Sequence, residues 1–146
     1  MKDFLSTALQ AASAARELIL SCYNCDIEIE IKSDHSPVTV ADREAEQLIR
    51  ATISSAFPEH GIFGEEYGAD NKDRPYLWLV DPIDGTKSFI KRYGMFSTQI
   101  ALMHKGELIL GVSCAPAMDE LVWATRGGGA FNADGQLHIS HVGRIE

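Results

Sequence analysis

The apolar run Tyr76–Val80 leads without a break into the acidic segment Asp81-Pro-Ile-Asp84-Gly-Thr86. A short apolar run of this kind is typical of a buried strand. Pro82 holds Asp81 in an extended conformation and excludes a helix at that position. The chain is therefore expected to place two carboxylates, Asp81 and Asp84, at the end of a buried strand.

Two acids at a strand end suit the binding of a cation together with an anion. Mg²⁺ prefers hard oxygen ligands, and Asp81 could bridge two cations while Asp84 binds one, with the Ile83 carbonyl between them as a third oxygen. A helix that begins at Asp84–Thr86 would offer backbone N–H groups to a phosphate. Metal ions can neutralise a transferring phosphoryl group and activate water, so the segment predicts phosphate-ester hydrolysis.

Both acids also have ordinary structural interpretations. Taken alone, Asp81 could be a turn acid and Asp84 a helix N-cap. The Gly-Thr pair that follows them, and the upstream segment Gly64-Glu65-Glu66, favour a metal site instead. Glu66 is interpreted as a supporting or surface acid rather than a direct ligand.

Hydrophobic periodicity predicts helices and a strand ahead of this segment. Residues 3–22 are rich in Ala and carry apolar residues at helical spacing. A second helix is predicted to open at Thr39 with a capping box to Asp42 and to stop at Pro58. Strict alternation over residues 26–32 predicts a half-buried strand with its isoleucines on one face.

The rest of the chain is rich in β-forming residues. Residues 61–64 are a short apolar segment, and residues 70–74 are a polar connection. Three further runs, 96–104, 107–114 and 120–125, predict a meander of antiparallel strands. Helices combined with a largely antiparallel sheet place the chain in the α+β class.

Charge and hydropathy narrow the classes of function. A net charge of −8 argues against nucleic acid as a partner, since a phosphate backbone needs a basic face. No apolar run is long enough to span a bilayer and the first residues lack a signal-peptide pattern, so no membrane partner is expected and a cytoplasmic location is the default. Three cysteines fit a reducing compartment, and Cys22-x-x-Cys25 is interpreted as incidental because it follows a helical pattern.

These segments together resemble the inositol monophosphatase superfamily, which includes histidinol-phosphatase-like and bisphosphate nucleotidase branches. The resemblance rests on Gly64-Glu65-Glu66, Trp78-Leu-Val-Asp81-Pro-Ile-Asp84-Gly-Thr86-Lys-Ser-Phe89, Ser36-Pro-Val-Thr39-x-Ala-Asp42, and Leu110-Gly-Val112 with Ala115-Pro116. It covers essentially the whole chain. It implies the N-terminal half of a layered sugar-phosphatase fold, with N-terminal helices packed on a largely antiparallel sheet.

The resemblance also implies roles for metal-binding residues. Glu65, Asp81 and the Ile83 carbonyl would bind a first Mg²⁺, and Asp81 with Asp84 would bind a second. The complete site of this superfamily holds two or three such ions.

Catalytic roles are implied in the same way for Thr86, Asp42 and Glu65. Thr86, oriented by Asp42, would position and deprotonate the attacking water, and the N–H groups of Gly85 and Thr86 would hold the phosphate. Lys32 stands where the family often has a lysine near a mobile metal loop, or it is a solvated lysine at a strand end.

Members of this superfamily normally carry a second domain with a W-D-x-x-A-G motif, whose aspartate completes the second metal site. Neither Trp78 nor Trp123 precedes an aspartate. We therefore expect residues 1–146 to be an N-terminal metal-binding domain without the C-terminal domain, with weak turnover by itself. An apolar face left by that domain would favour a homodimer or another partner.

The expected substrate is a small phosphorylated metabolite. Inositol phosphate, histidinol phosphate and a 3′(2′),5′-bisphosphate nucleotide all remain open. One alternative function is a catalytically silent domain that acts through association, and another is a pure cation-binding protein.

Overall fold

Helices α1 (Phe4–Tyr23) and α2 (Val40–Ala56) pack against each other and against one face of a sheet. The structure is a computed structural model that describes residues 3–25, 29–31 and 37–140. Both helices confirm the predictions from periodicity. The face of α1 that meets α2 and the sheet is built largely from alanines, whose small side chains allow close approach: Ala8, Ala11, Ala12 and Ala15 are all fully buried.

The strands follow the helices in chain order. They are β1 (Ile29–Ile31), β2 (Pro37–Thr39), β3 (Gly61–Gly64), β4 (Gly68–Asp70), β5 (Tyr76–Asp84), β6 (Ser97–His104), β7 (Glu107–Ala115), β8 (Glu120–Thr125), β9 (Gly129–Asn132) and β10 (Gly135–Gln136). The short helix α3 (Thr86–Ile90) follows β5, and a 3₁₀ turn (Pro116–Met118) follows β7.

Among the described residues, eight strands form one sheet in the order β10-β9-β8-β7-β6-β5-β3-β4. Pairing from β5 to β10 is antiparallel, which confirms the predicted meander and the α+β class. β3 pairs with β5 in parallel, a contact that the sequence did not predict. This parallel pair brings the ends of β3 and β5 to the same edge of the sheet.

Alternate residues of the central strands enter the core beneath the helices. Trp78, Ile100, Leu102 and Val112 are at most 3% exposed, whereas their neighbours on the other face are half-buried. The sheet therefore has one covered face and one open face. No helix in the described part of the chain is both long and apolar enough to cross a membrane.

Two sequence expectations need correction. Ile29 and Ile31 are 50% and 60% exposed, so the predicted half-buried face is wrong for β1, which pairs with β2 and not with the main sheet. The buried strand predicted to end at Val80 continues through Asp84, so both acids lie within it. The remainder of the predicted 26–32 strand, and Lys32 with it, falls outside the described residues.

Candidate metal centre

A β-bulge shapes the end of β5. Asp81 pairs with Gln99 of β6, and the next pair is Asp84 with Ser97, so one extra residue is accommodated on β5. Pro82 has no N–H for the ladder and is tolerated at such a bulge. The buried Thr98 hydroxyl donates to the Pro82 carbonyl at 2.8 Å and ties the bulge to β6. Bulges of this kind redirect side chains near functional sites.

Asp81 lies in an environment that disfavours its negative charge. Its Oδ1 is buried and has no hydrogen-bond partner among the described residues. Burial, a hydrogen bond with Glu65, and the charges of Glu65 and Asp84 raise the pKa of Asp81 to about 7, against a weaker opposing hydrogen bond from the Ile83 backbone. A buried carboxylate oxygen beside two further acids is the arrangement that a bound cation would stabilise.

The chemistry of the nearby oxygen atoms is suited to a hard divalent cation. Glu65, Asp81 and Asp84 would supply carboxylate oxygens, and Ile83 would contribute a backbone carbonyl, which is the oxygen chemistry that Mg²⁺ prefers. Across residues 3–25, 29–31 and 37–140, no three His, Cys, Asp or Glu side chains converge closely enough to hold a metal ion. A cation here would therefore need the backbone oxygen as well as the side chains.

Thr86 and Asp42, which the sequence links in a predicted catalytic role, lie within hydrogen-bond distance of each other. Asp42 is 1% exposed, and its Oδ1 lies 3.2 Å from the Thr86 hydroxyl. Its Oδ2 accepts the Thr39 N–H at 2.8 Å and the Thr39 hydroxyl at 2.5 Å, within the predicted capping box. Burial raises the pKa of Asp42, and the bonds from Thr39 and Thr86 oppose that rise.

The Thr86 hydroxyl has a second acceptor within reach. It lies 3.1 Å from the Ile83 carbonyl oxygen, and because it has one proton it can donate to either Ile83 or Asp42 at one time. This single hydroxyl therefore links a proposed ligand oxygen to a buried carboxyl group.

Gly85 makes the sharp connection between β5 and α3. Its φ is +95°, and a Cβ atom there would lie 2.9 Å from the Met95 carbonyl oxygen. The helix begins at Thr86 with Gly85 as its N-cap, slightly later than the predicted start at Asp84. The fully buried Phe89 anchors α3 through an edge-on contact with Phe96 at 5.1 Å between ring centroids.

Glu65 reaches Asp81 because of the parallel pairing of β3 with β5. The Glu65 N–H donates to the Val80 carbonyl at 3.1 Å, which extends the ladder into the turn before β4. The following residue, Glu66, uses its N–H to bind the buried carboxylate of Glu46 at 2.7 Å. Glu46 was not predicted from the sequence, although it is an acid on the buried stripe of α2, four residues before Arg50.

A groove on the open face of the sheet reaches the candidate centre. It has a volume of about 510 Å³. Its apolar lining includes Phe63 and Leu79, and its polar lining includes Glu65, Asp81 and Gln99. Phe63 is 51% exposed and lines the same groove as Glu65 and Asp81.

Comparisons with known proteins identify the family of the chain. The sequence profile of the Inositol monophosphatase family matches residues 1–146. The Histidinol-phosphatase of Chlorobaculum parvum is 41% identical over 143 residues, which cover 97% of this chain and 55% of that protein. The Inositol-1-monophosphatase of Mesorhizobium japonicum is 41% identical over 122 residues, covering 83% and 45%.

Solved structures give the same result. The extragenic suppressor protein suhB from Bartonella henselae superposes with a TM-score of 0.92 at 33% identity, covering 97% of this chain and 56% of that one. An inositol monophosphatase from Anabaena gives 0.82 at 32% identity, covering 95% and 50%. The chain spans about half the length of the curated relatives it matches. It belongs to the inositol monophosphatase family.

Proposed function

We propose that residues 1–146 form the N-terminal, metal-binding domain of a cytoplasmic Mg²⁺-dependent phosphomonoesterase that acts on a small phosphorylated metabolite. The observation that carries this proposal is the buried, unpaired Oδ1 of Asp81 beside Glu65. An uncompensated buried carboxylate oxygen is costly unless a cation or proton meets it. The free thiols of Cys22, Cys25 and Cys114 are compatible with a reducing compartment.

Glu65, Asp81 and the Ile83 carbonyl would hold one Mg²⁺, and Asp81 with Asp84 would contribute to a second; a complete site would hold two or three ions. When bound, the metal would supply charge neutralisation for the phosphoryl group and lower the pKa of an attacking water. Asp84 is exposed whereas Asp81 is half-buried, so substrate would approach the metal site from the side of Asp84.

Thr86 would move the proton of the attacking water. Its Oγ1 can accept that proton while its own proton passes toward Asp42 Oδ1, 3.2 Å away. Because burial raises the pKa of Asp42, this carboxyl group is suited to hold a proton temporarily. The N–H groups of Gly85 and Thr86 at the start of α3 would bind phosphate oxygens and orient the ester, and Glu65 would help to position the water.

Likeness to named relatives supports the proposed class of substrate. The relatives at 41% identity are named for histidinol phosphate and inositol 1-phosphate hydrolysis. Both substrates present a phosphomonoester on a small polar carrier. The apolar groove next to Asp81 would then face the carrier rather than the phosphate.

Calorimetric titration with Mg²⁺ tests the metal site directly. We expect saturable Mg²⁺ binding by the wild-type protein and its loss in Asp81→Asn, with Asp73→Asn, an exposed acid in the polar connection before β5, as the matched control. Identical titrations of wild type and Asp81→Asn would contradict the proposal.

An assay of phosphate release tests the proposed hydrolysis. Release from inositol 1-phosphate and histidinol phosphate should be weak, Mg²⁺-dependent and absent in Asp81→Asn. Binding of Mg²⁺ without any hydrolysis would instead favour a pure cation-binding protein.

The open sheet face supports a second candidate function, association with another copy of the chain. Phe63 and the half-buried Leu79 and Val122 lie on that face. Light scattering across a concentration series tests it, with dimer formation expected and weakened by Phe63→Ser. A strict monomer at high concentration would contradict self-association.

A further inference from the structure

Glu46 is a fully buried carboxylate that the proposed metal chemistry does not use. It lies on α2, one turn after Asp42. Its Oε2 accepts the Glu66 N–H at 2.7 Å, and its Oε1 accepts the Tyr67 N–H at 3.3 Å. A buried charge is retained in a fold only when such donors surround it. Both backbone donors come from the two residues that directly follow Glu65.

Arg50 completes this arrangement from the same helix. Its Nε donates to Glu46 Oε1 at 2.7 Å, and its guanidinium also binds Asp70 Oδ2 at 2.8 Å and the Gly68 carbonyl. The Arg50 side chain is only 12% exposed. The planar guanidinium can satisfy several acceptors at fixed angles. Residues of α2 therefore form hydrogen bonds both to the turn Glu65–Tyr67 and to the strand β4 that follows it.

Gly64 allows the Glu46 carboxylate to lie close to the backbone of β3. A Cβ atom at this position would lie 1.9 Å from Glu46 Oε1, so any other residue would displace the side chain. The φ of Gly64 is not positive, and its glycine is therefore required by close approach rather than by backbone conformation. Helix α2 thus contacts the chain immediately before and immediately after Glu65.

We propose that Glu46, supported by Arg50, is a positioning residue that holds the turn Glu65–Tyr67 so that the Glu65 carboxylate faces Asp81. This inference rests on the proposed metal site. On one side, the Glu65 N–H is fixed to Val80 in the β5 ladder. On the other side, the Glu46 carboxylate fixes the next two N–H groups. The backbone on both sides of the Glu65 side chain is thereby held in place beside Asp81.

The informative substitution is Glu46→Gln, which preserves size. The three groups that meet Glu46 are all donors, so the amide NH₂ of glutamine must face one of them and break that contact. Groups that orient metal ligands commonly change metal affinity by about 10–100-fold. We expect the Kd for Mg²⁺ of Glu46→Gln to rise by a factor in that range. Arg50→Lys keeps the charge but loses the planar fork, so a smaller rise in Kd is expected.

The experiment combines Mg²⁺ calorimetry with amide NMR of the 146-residue protein. Loss of the charged acceptor should shift the Glu66 and Tyr67 amide protons upfield in Glu46→Gln. Glu44→Gln is the control for charge, because Glu44 is exposed on the same helix. Ile53→Val, a fully buried position on α2, is the control for lost stability, and both controls should keep the wild-type Kd.

The outcomes separate the two proposals. An unchanged Kd in both Glu46→Gln and Arg50→Lys, with wild-type binding lost in Asp81→Asn, would overturn the positioning role alone. An equal rise in Kd for Ile53→Val would also overturn it, since the effect would then follow stability. Mg²⁺ binding that is absent from the wild type, or insensitive to Asp81→Asn, would overturn the metal site and the positioning role together.

Discussion

The Thr86 hydroxyl lies 3.2 Å from Asp42 Oδ1 and joins residues 44 positions apart in the chain. Asp42 belongs to the first turn of α2, whereas Thr86 begins α3 after the bulge of β5. The contact therefore connects the start of a buried helix to the proposed metal ligands. The Thr86 hydroxyl therefore has two roles: it donates to the buried Asp42 carboxylate in the fold, and it would transfer a proton in the proposed reaction.

Replacing Thr86 by valine should separate these two roles. Thr86→Val keeps the branched shape but leaves the buried Asp42 Oδ1 without its donor, which should lower the free energy of unfolding by about 1–3 kcal/mol. Phosphate release should fall by roughly 10²-fold or more if the hydroxyl transfers a proton. Thr86→Ser, which keeps the hydroxyl, should retain most of both quantities. Equal phosphate release by the Val and Ser variants would contradict the proton-transfer role.

The raised pKa of Asp81 predicts a pH dependence of stability in metal-free protein. The pKa is about 7 in the fold and 3.8 as the ordinary value, so folding favours the protonated form. Protonated Asp81 adds to the free energy of unfolding, and this stabilisation is fully present below about pH 4 and is lost as the pH rises through about 7. After allowance for solvent screening of this half-buried group, wild type should lose about 1–2 kcal/mol relative to Asp81→Asn between pH 5 and 8.

Urea unfolding in EDTA at several pH values measures this difference. Subtracting the Asp81→Asn curve from the wild-type curve removes the contributions of other titrating groups. Parallel curves across the whole range would show that Asp81 ionises normally in the fold.

Gly85 should tolerate substitution less well than another glycine of similar conformation. Gly85 and Gly106 have φ values of +95° and +85°, but only at Gly85 would an added Cβ atom meet the backbone, 2.9 Å from the Met95 carbonyl oxygen. Left-handed backbone costs a non-glycine residue about 1–2 kcal/mol. Gly106→Ala should show that cost alone, and Gly85→Ala should lose at least about 1 kcal/mol more. Thermal unfolding of both variants compares them, and equal losses would rule out the steric contribution.

His60 should make the fold sensitive to mild acid. Its Nδ1 accepts the Trp78 indole N–H at 3.0 Å, and its ring stacks on Tyr76 at 4.7 Å between centroids. Burial lowers the pKa of His60, so the fold favours neutral imidazole. This stability is present above the unfolded pKa of about 6.5 and is lost as the pH falls through the folded pKa.

His60→Phe keeps a stacked ring and removes the titration. Its unfolding free energy should therefore depend less on pH between about 7 and 5 than that of the wild type, with Trp78 fluorescence as the probe. The same slope in both proteins would mean that His60 does not contribute to acid sensitivity.

Patterns among residues that are close in the sequence predicted much of the fold. Periodicity placed α1 and α2 close to their observed bounds, and alternation with turn residues predicted the meander from Ser97 to Thr125. The acidic end of β5 and the capping contact of Asp42 were predictable for the same reason. Each of these features depends on residues a few positions apart, whose interactions follow from backbone geometry and side-chain type.

By itself, the sequence determined the helices, the meander and the identity of the acids near Asp81. Only the tertiary structure decided that β3 lies parallel to β5, which brings Glu65 to Asp81, and that Glu46 enters the core to bind the turn after Glu65. It also decided that Ile29 and Ile31 are exposed. These outcomes depend on which distant segments pack together, and a pattern of period two or 3.6 specifies a face but not the partner that covers it.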